Sequence, residues 1–193
     1  VPDRSAVGSE NQTLVPEVLA EMISWGVGWV DVPIEAPAAY VQEVTALARQ
    51  HGAKIIRSAH FWGTSAGSMY ASIPSEETLN TLAEQAFSAG ADFLKIAVHT
   101  QSRQESDFLL SWCDRQNSRG VRLSGKAGDG VPVDGRDSVP TDGRYRVTVM
   151  IMGDDALRAR QHALHNGYPF VYAAPDREGA TAPGQPSFEE LDV

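Results

Sequence analysis

Cysteine is almost absent: Cys113 is the only one in 193 residues. A disulfide framework is excluded, and the Cys and His spacings suggest no structural zinc site. Long apolar runs are missing too. None approaches the roughly 18 residues that a membrane span needs, and no secretory signal peptide is visible. Basic charge is scarce, with 16 Lys and Arg against 25 Asp and Glu and a net charge of −9. That balance argues against a surface that tracks nucleic-acid phosphates, so no direct nucleic-acid partner is expected. The glycine patterns GxGxxG and GxxxxGK(S/T) are absent, which leaves a nucleotide site without support. At 42 % hydrophobic the composition is ordinary for a globular domain. An intracellular chain, cytoplasmic or nuclear, with no metal or cofactor, is the expectation. The first residue is Val1 rather than Met, which suggests a processed chain or a domain excised from a longer one.

What is present is an alternation of helix signals with short apolar strands. Val15, Val18, Leu19, Met22 and Ile23 recur at helical spacing before Gly26. Trp29–Ile34 reads as a strand, and Tyr40, Val41, Val44, Leu47 and Ala48 as the next helix face. Lys54–His60 is a second strand. A helix opens at Ser75, with Leu79, Leu82, Ala83, Ala86 and Phe87 on one side. Asp92–Val98 is the third strand, and residues 104–115 are helical. Residues 117–145 hold six Gly, four Asp and two Pro without periodicity, and are expected to be a flexible insertion. A smaller insertion is expected at Gly63–Pro74. Arg146–Met152 resumes as a strand, Asp154–His165 as a helix, and Tyr168–Ala173 as a last short strand.

Near-continuous apolar strands alternating with helices imply a parallel sheet covered by helices. A (β/α) barrel or an open doubly wound sheet would fit. The barrel is preferred, because it places chemistry at the C-terminal ends of several strands, where the candidate residues fall. Lys95 interrupts the apolar strand Phe93–Val98. A buried ammonium is costly unless it is paired or loses its charge, and a neutral amine is the form that attacks a carbonyl to make a Schiff base. The plainer alternative is a strand lysine that reaches solvent or a salt bridge. His60 ends its strand and is placed to act as a general acid or base; the alternative is a partly buried histidine bonded to a backbone carbonyl. Arg160, on the helix after the fourth strand, could clamp a carboxylate in a bidentate pair or be a solvated helix charge. Thr181 and Gln185 flank the polar TAPGQ loop and could hydrogen-bond a ligand, although by composition the loop is merely a turn.

In this order, WVDVPIE, KIIRSAH, ADFLKIAV, the Met152-Gly153…Arg160 segment and TAPGQ followed by Phe188-Glu189-Glu190-Leu191 resemble type I 3-dehydroquinate dehydratase. The resemblance implies a partial (β/α)8 TIM barrel over residues 1–193, of about five β/α units similar to the family's fourth to eighth. It implies that Lys95 forms an imine with a substrate ketone and that His60 shuttles protons for loss of water. Arg160 would bind the substrate carboxylate, Thr181 stands where the family usually has Ser, and Gln185 matches the family's Gln. Arg4 matches an arginine common after the family's third strand. Ala6 and Val7 stand where a carboxylate is common there, and Phe61 where an acid usually follows the histidine.

Two functions follow. The first is a non-catalytic or impaired domain that senses a 3-dehydroquinate or 3-dehydroshikimate-type ligand and binds a transcriptional activator, as in the fungal quinate-pathway repressor. Val7, Phe61 and the missing strands motivate it, and it is slightly favoured. The second is a working Schiff-base dehydratase, motivated by Lys95, His60, Arg160 and Gln185. An incomplete barrel also has open sheet edges, so self-association or partner strands are expected. A third, weaker reading is another barrel Schiff-base enzyme such as an aldolase, and the TAPGQ loop argues against it.

Overall fold

The computed structural model describes residues 14–61, 73–123, 146–168, 170–180 and 185–191. Four strands, β1 (Trp29–Pro33), β2 (Lys54–Phe61), β3 (Phe93–His99) and β4 (Val147–Met152), form one parallel sheet in the order β1-β2-β3-β4. Five helices alternate with them: α1 (Leu14–Ser24), α2 (Ala38–His51), α3 (Glu76–Ser88), α4 (Arg103–Leu123) and α5 (Ala156–His165). A short 3-10 helix, Phe188–Leu191, follows. Two compact units are distinguished, one holding the chain up to Ala59 with Leu82–Leu94, the other His60–Thr81 with the chain from Lys95 onward.

In the first unit, β1 pairs with β2 from Trp29 opposite Lys54 to Pro33 opposite Ser58. Strand alternation sends Val30, Val32 and Ile55 to one face. There they form a core with Ile23 of α1 and with Val41, Val44 and Ala48 of α2. Burying each of these Val and Ile side chains stabilises the fold by about 1.5–3 kcal/mol. Gly52 ends α2 in a left-handed conformation (φ 74°), and its N–H reaches back to the carbonyls of Ala48 and Arg49. The Arg57 guanidinium, also buried, caps the end of β1. It donates to the carbonyls of Val32 (3.2 Å), Pro33 (3.0 Å) and Ile34 (2.9 Å). The opposite face of the sheet carries Trp29, Lys54 and Phe93. The Trp29 and Phe93 rings meet edge to face at 5.2 Å, and the Lys54 Nζ lies 5.2 Å from the Trp29 ring.

In the second unit, α4 and α5 pack against β4. Leu109, Trp112 and Cys113 are fully buried. Helix α4 extends to Leu123, so residues 117–123 are helical where a flexible insertion was expected; 124–145 lie outside the described residues. Asn117 ties the start of this stretch to the sheet. Its side-chain amide donates to the carbonyl of Val147 (3.0 Å) and its oxygen accepts from the Val147 N–H (3.0 Å). The helix is thereby fastened to the start of β4.

The described residues of the Tyr168–Ala173 segment, 168 and 170–173, do not form the fifth strand expected there. The Tyr172 carbonyl accepts from Arg160 Nε (3.2 Å) instead of from a strand partner. Among the described residues nearby, an isolated parallel bridge joins Ala174 and Ser187. Among the described residues no helix is long and apolar enough to cross a membrane.

Cys113 yields a prediction. Its Sγ lies 3.3 Å from the Val147 carbonyl. Burial first, with the Asp114 charge adding to it, pushes the thiol up to about 12. The native thiol should resist an aromatic disulfide reagent and label only as the chain unfolds. Because the folded pKa is raised, the unfolded chain loses this proton first as pH climbs. Stability attributable to Cys113 is then lost between the ordinary thiol range and about 12. Stopped labelling against denaturant checks this; fast native labelling at neutral pH contradicts it.

Candidate active site

Lys95 is the third residue of β3 and is half-buried, while its neighbours Leu94 and Ile96 are fully buried on the opposite face. Alternation puts Lys95 and His99 on the same face as Phe93. The Trp29–Phe93 contact identifies that face as the one carrying Trp29 and, by the β1–β2 register, Lys54. His60 shares the parity of Lys54 along β2, is half-buried and stands one residue from the strand's C-terminal end. Lys95 and His60 therefore project from the same side of the sheet. Phe61 projects from the other and is buried.

Over Lys95 lies Tyr172. The Nζ atom is 5.2 Å from the ring centroid, and the Phe170 ring meets Tyr172 edge-on at 5.7 Å. Spacing gave no sign of this neighbour, since Tyr172 falls in a segment expected to be a ladder strand. Its one visible signal is an aromatic residue shortly before the TAPGQ loop.

Arg160 is buried and directs its donors at its own chain. Nε donates to Tyr172 O, Nη1 to the carbonyls of Ile151 and Ala156, and Nη2 approaches the Met152 Sδ. Burial pushes this guanidinium down to about 10. The carboxylate clamp expected at Arg160 is thus occupied in this structure by backbone carbonyls, and the solvated helix charge offered as the alternative is contradicted by its burial. Arg158 is equally committed. It pairs with Asp155 through Nε (2.8 Å) and with Asp107 through Nη1 (2.7 Å), and the Arg158 guanidinium holds the Asp155 carboxyl below its usual range.

Gln185 lines a cleft of about 390 Å³ beyond β4, together with Gly153, Asp154 and the Arg177–Glu190 ion pair. Thr181 and Arg4 lie outside the described residues. Among the described residues no three His, Cys, Asp or Glu side chains converge in a way that could hold a metal ion. The arrangement is one of an accessible primary amine beside an aromatic face, with an imidazole on the same side of the sheet. Chemically it can form an imine and move a proton.

A family model for type I 3-dehydroquinase matches residues 5–122, more than half of the chain. The chain belongs to the type I 3-dehydroquinase family. It is similar to a 3-dehydroquinate dehydratase of Methanosarcina barkeri, with 28 % identity over 177 residues, which is 91 % of this chain and 60 % of the relative. Among solved structures it resembles the type I 3-dehydroquinate dehydratase of Clostridium difficile, crystallised with covalently modified comenic acid (TM-score 0.67, 21 % identity, 94 % of this chain and 58 % of that one). The Geobacillus kaustophilus 3-dehydroquinate dehydratase is similar in the same way (TM-score 0.66, 20 % identity, 94 % and 58 %). The chain therefore spans about three-fifths of the length of these relatives. Its α/β fold of four parallel strands is that of type I dehydroquinase barrels over this span.

Proposed function

We propose that this type I dehydroquinase chain carries the imine-forming face of a dehydratase acting on a 3-dehydroquinate-type ketone. The observation that supports this reading most is the Lys95 amine, part-exposed and backed by Tyr172, on the same side of the sheet as His60. In this reading Lys95 Nζ adds to the ketone and the carbinolamine loses water to give an iminium ion. The C–H beside the iminium carbon becomes acidic, and His60 accepts that proton. The electron pair left behind expels the hydroxyl one carbon further on, which departs as water with a proton from the imidazolium. Hydrolysis then returns the amine and releases an enone, 3-dehydroshikimate from 3-dehydroquinate. Gln185, with Thr181 and Arg4, is the polar set assigned to holding the substrate.

A second reading is a domain of quinate-repressor type that binds such a metabolite without turning it over and engages a transcriptional activator. The backbone commitment of Arg160 favours it, because a dehydratase would use this side chain on the substrate carboxylate. Incubation with 3-dehydroquinate and borohydride separates the two. A mass adduct on Lys95 with a rise in enone absorbance is the result expected of the dehydratase. Saturable binding with neither adduct nor enone overturns it and leaves the sensing domain.

A further inference from the structure

The segment after α5 is held over Lys95 by a chain of contacts that no ladder pairing explains. Arg160 is buried within α5 and anchored to the end of β4 through Ile151 O. The same guanidinium takes the Tyr172 carbonyl at 3.2 Å. The Tyr172 ring is braced edge-on by Phe170, with the planes 87° apart. Its face lies 5.2 Å from Lys95 Nζ, within the distance at which an aromatic face attracts an ammonium. A lysine side chain has four rotatable bonds and loses considerable entropy when fixed in one place. An amine that must meet a ketone at bonding distance gains rate from being held in place beforehand.

We propose that Tyr172 is a positioning residue for Lys95: its ring, fixed through the Arg160–carbonyl bond and the Phe170 edge contact, holds the amine on the open side of the sheet. The proposal rests on the reading of Lys95 as the imine-forming amine. It has, however, a chemical consequence that needs no substrate. A ring that lies against Nζ covers one side of the amine, so loss of the ring opens that side to acylating reagents. Lys54 sits at the same 5.2 Å from the Trp29 ring and serves as an internal reference.

The experiment is trace acetylation of the whole chain with acetic anhydride at neutral pH, read by mass spectrometry as the ratio of Lys95 to Lys54 labelling. Tyr172→Leu should raise the ratio about two- to fivefold, the effect of losing one cation–π contact at a part-exposed site. Tyr172→Phe keeps the ring and should leave it at the wild-type value. In borohydride trapping with 3-dehydroquinate, Tyr172→Leu should form adduct on the order of tenfold more slowly, and Tyr172→Phe at the wild-type rate. Tyr172 is 43 % exposed, so truncation opens no sealed cavity; Tyr172→Met takes the place of the leucine variant should that fail to fold. An unchanged labelling ratio in Tyr172→Leu overturns the proposal, as does a Tyr172→Phe variant that shifts as far as leucine. Wild-type trapping speed in Tyr172→Leu overturns it as well. Absence of any adduct in the wild type defeats the imine reading instead, while the labelling ratio still judges the Tyr172–Lys95 contact.

Discussion

Lys95→Ala should abolish the borohydride adduct and lower enone formation by on the order of 10³-fold or more, the scale on which loss of a covalent nucleophile acts. The imidazole of His60 cannot take over, because a stable imine needs a primary amine. The fold should be nearly indifferent to the change. Lys95 is half-buried, and alanine keeps the backbone pairing of β3 while removing a side chain whose end reaches the open face. Melting temperature should therefore move by a few degrees at most, the usual range for a substitution away from the core. Lys54→Ala is the matched control, since Lys54 is also a strand lysine set over an aromatic ring. It should trap ketone at the wild-type rate. An adduct that survives in Lys95→Ala, or that maps to Lys54, would remove the basis for the dehydratase reading.

The parts of this fold that could be read from the residues are those with near-continuous apolar character. β1 to β4 fall within a residue or two of WVDVPI, KIIRSAH, DFLKIAV and RVTVMIM, because strands that are largely buried must be apolar along much of their length. The two failures share a cause. Residues 117–123 lacked any helical signal strong enough to outweigh their glycine and charge, yet α4 persists, with one amide, Asn117, paired to both backbone groups of Val147. Tyr168–Ala173 carried strand-like residues, yet its carbonyl at Tyr172 is claimed by a side chain from α5. Both outcomes involve one side chain bonding to the backbone of another element, and neither periodicity nor composition encodes such bonds. The same holds for the site. Lys95 and His60 were visible as polar residues in apolar strands. That they share a face depends on the phase between β2 and β3, and Tyr172 enters only through a segment that is not a strand. The two buried arginines show the limit most plainly. Arg57, set within an apolar strand, and Arg160, whose helix spacing fits more than one role, both serve the carbonyls at the ends of strands.

Arg160→Leu is expected to destabilise the protein by about 3 kcal/mol, lowering the melting temperature by about 10 °C for a domain of this size. Two effects oppose one another. Leucine leaves the buried carbonyl of Ile151 and the part-buried carbonyl of Tyr172 without the arginine donor, and an orphaned buried acceptor typically costs about 1–3 kcal/mol. It also relieves the burial of a charge, whose cost is visible in the guanidinium's fall to about 10. The first effect should win, because a leucine side chain replaces none of the lost bonds. Arg160→Lys then discriminates between the roles open to this residue. A lysine keeps the positive charge that a substrate carboxylate would need. It cannot reproduce a planar fork that reaches Ile151 and Tyr172 together. If Arg160 acts chiefly by fixing the Tyr172 segment, Arg160→Lys should lower both stability and the maximal rate of adduct formation, with little change in the 3-dehydroquinate concentration that gives half-maximal trapping. If it instead clamps the substrate carboxylate, that half-saturating concentration should rise on the order of tenfold or more while the melting temperature stays near wild type. Thermal unfolding and the concentration dependence of trapping, measured on the same variant, give opposite patterns for the two roles. The bonds from Arg160 to Ile151 and Tyr172 favour the first.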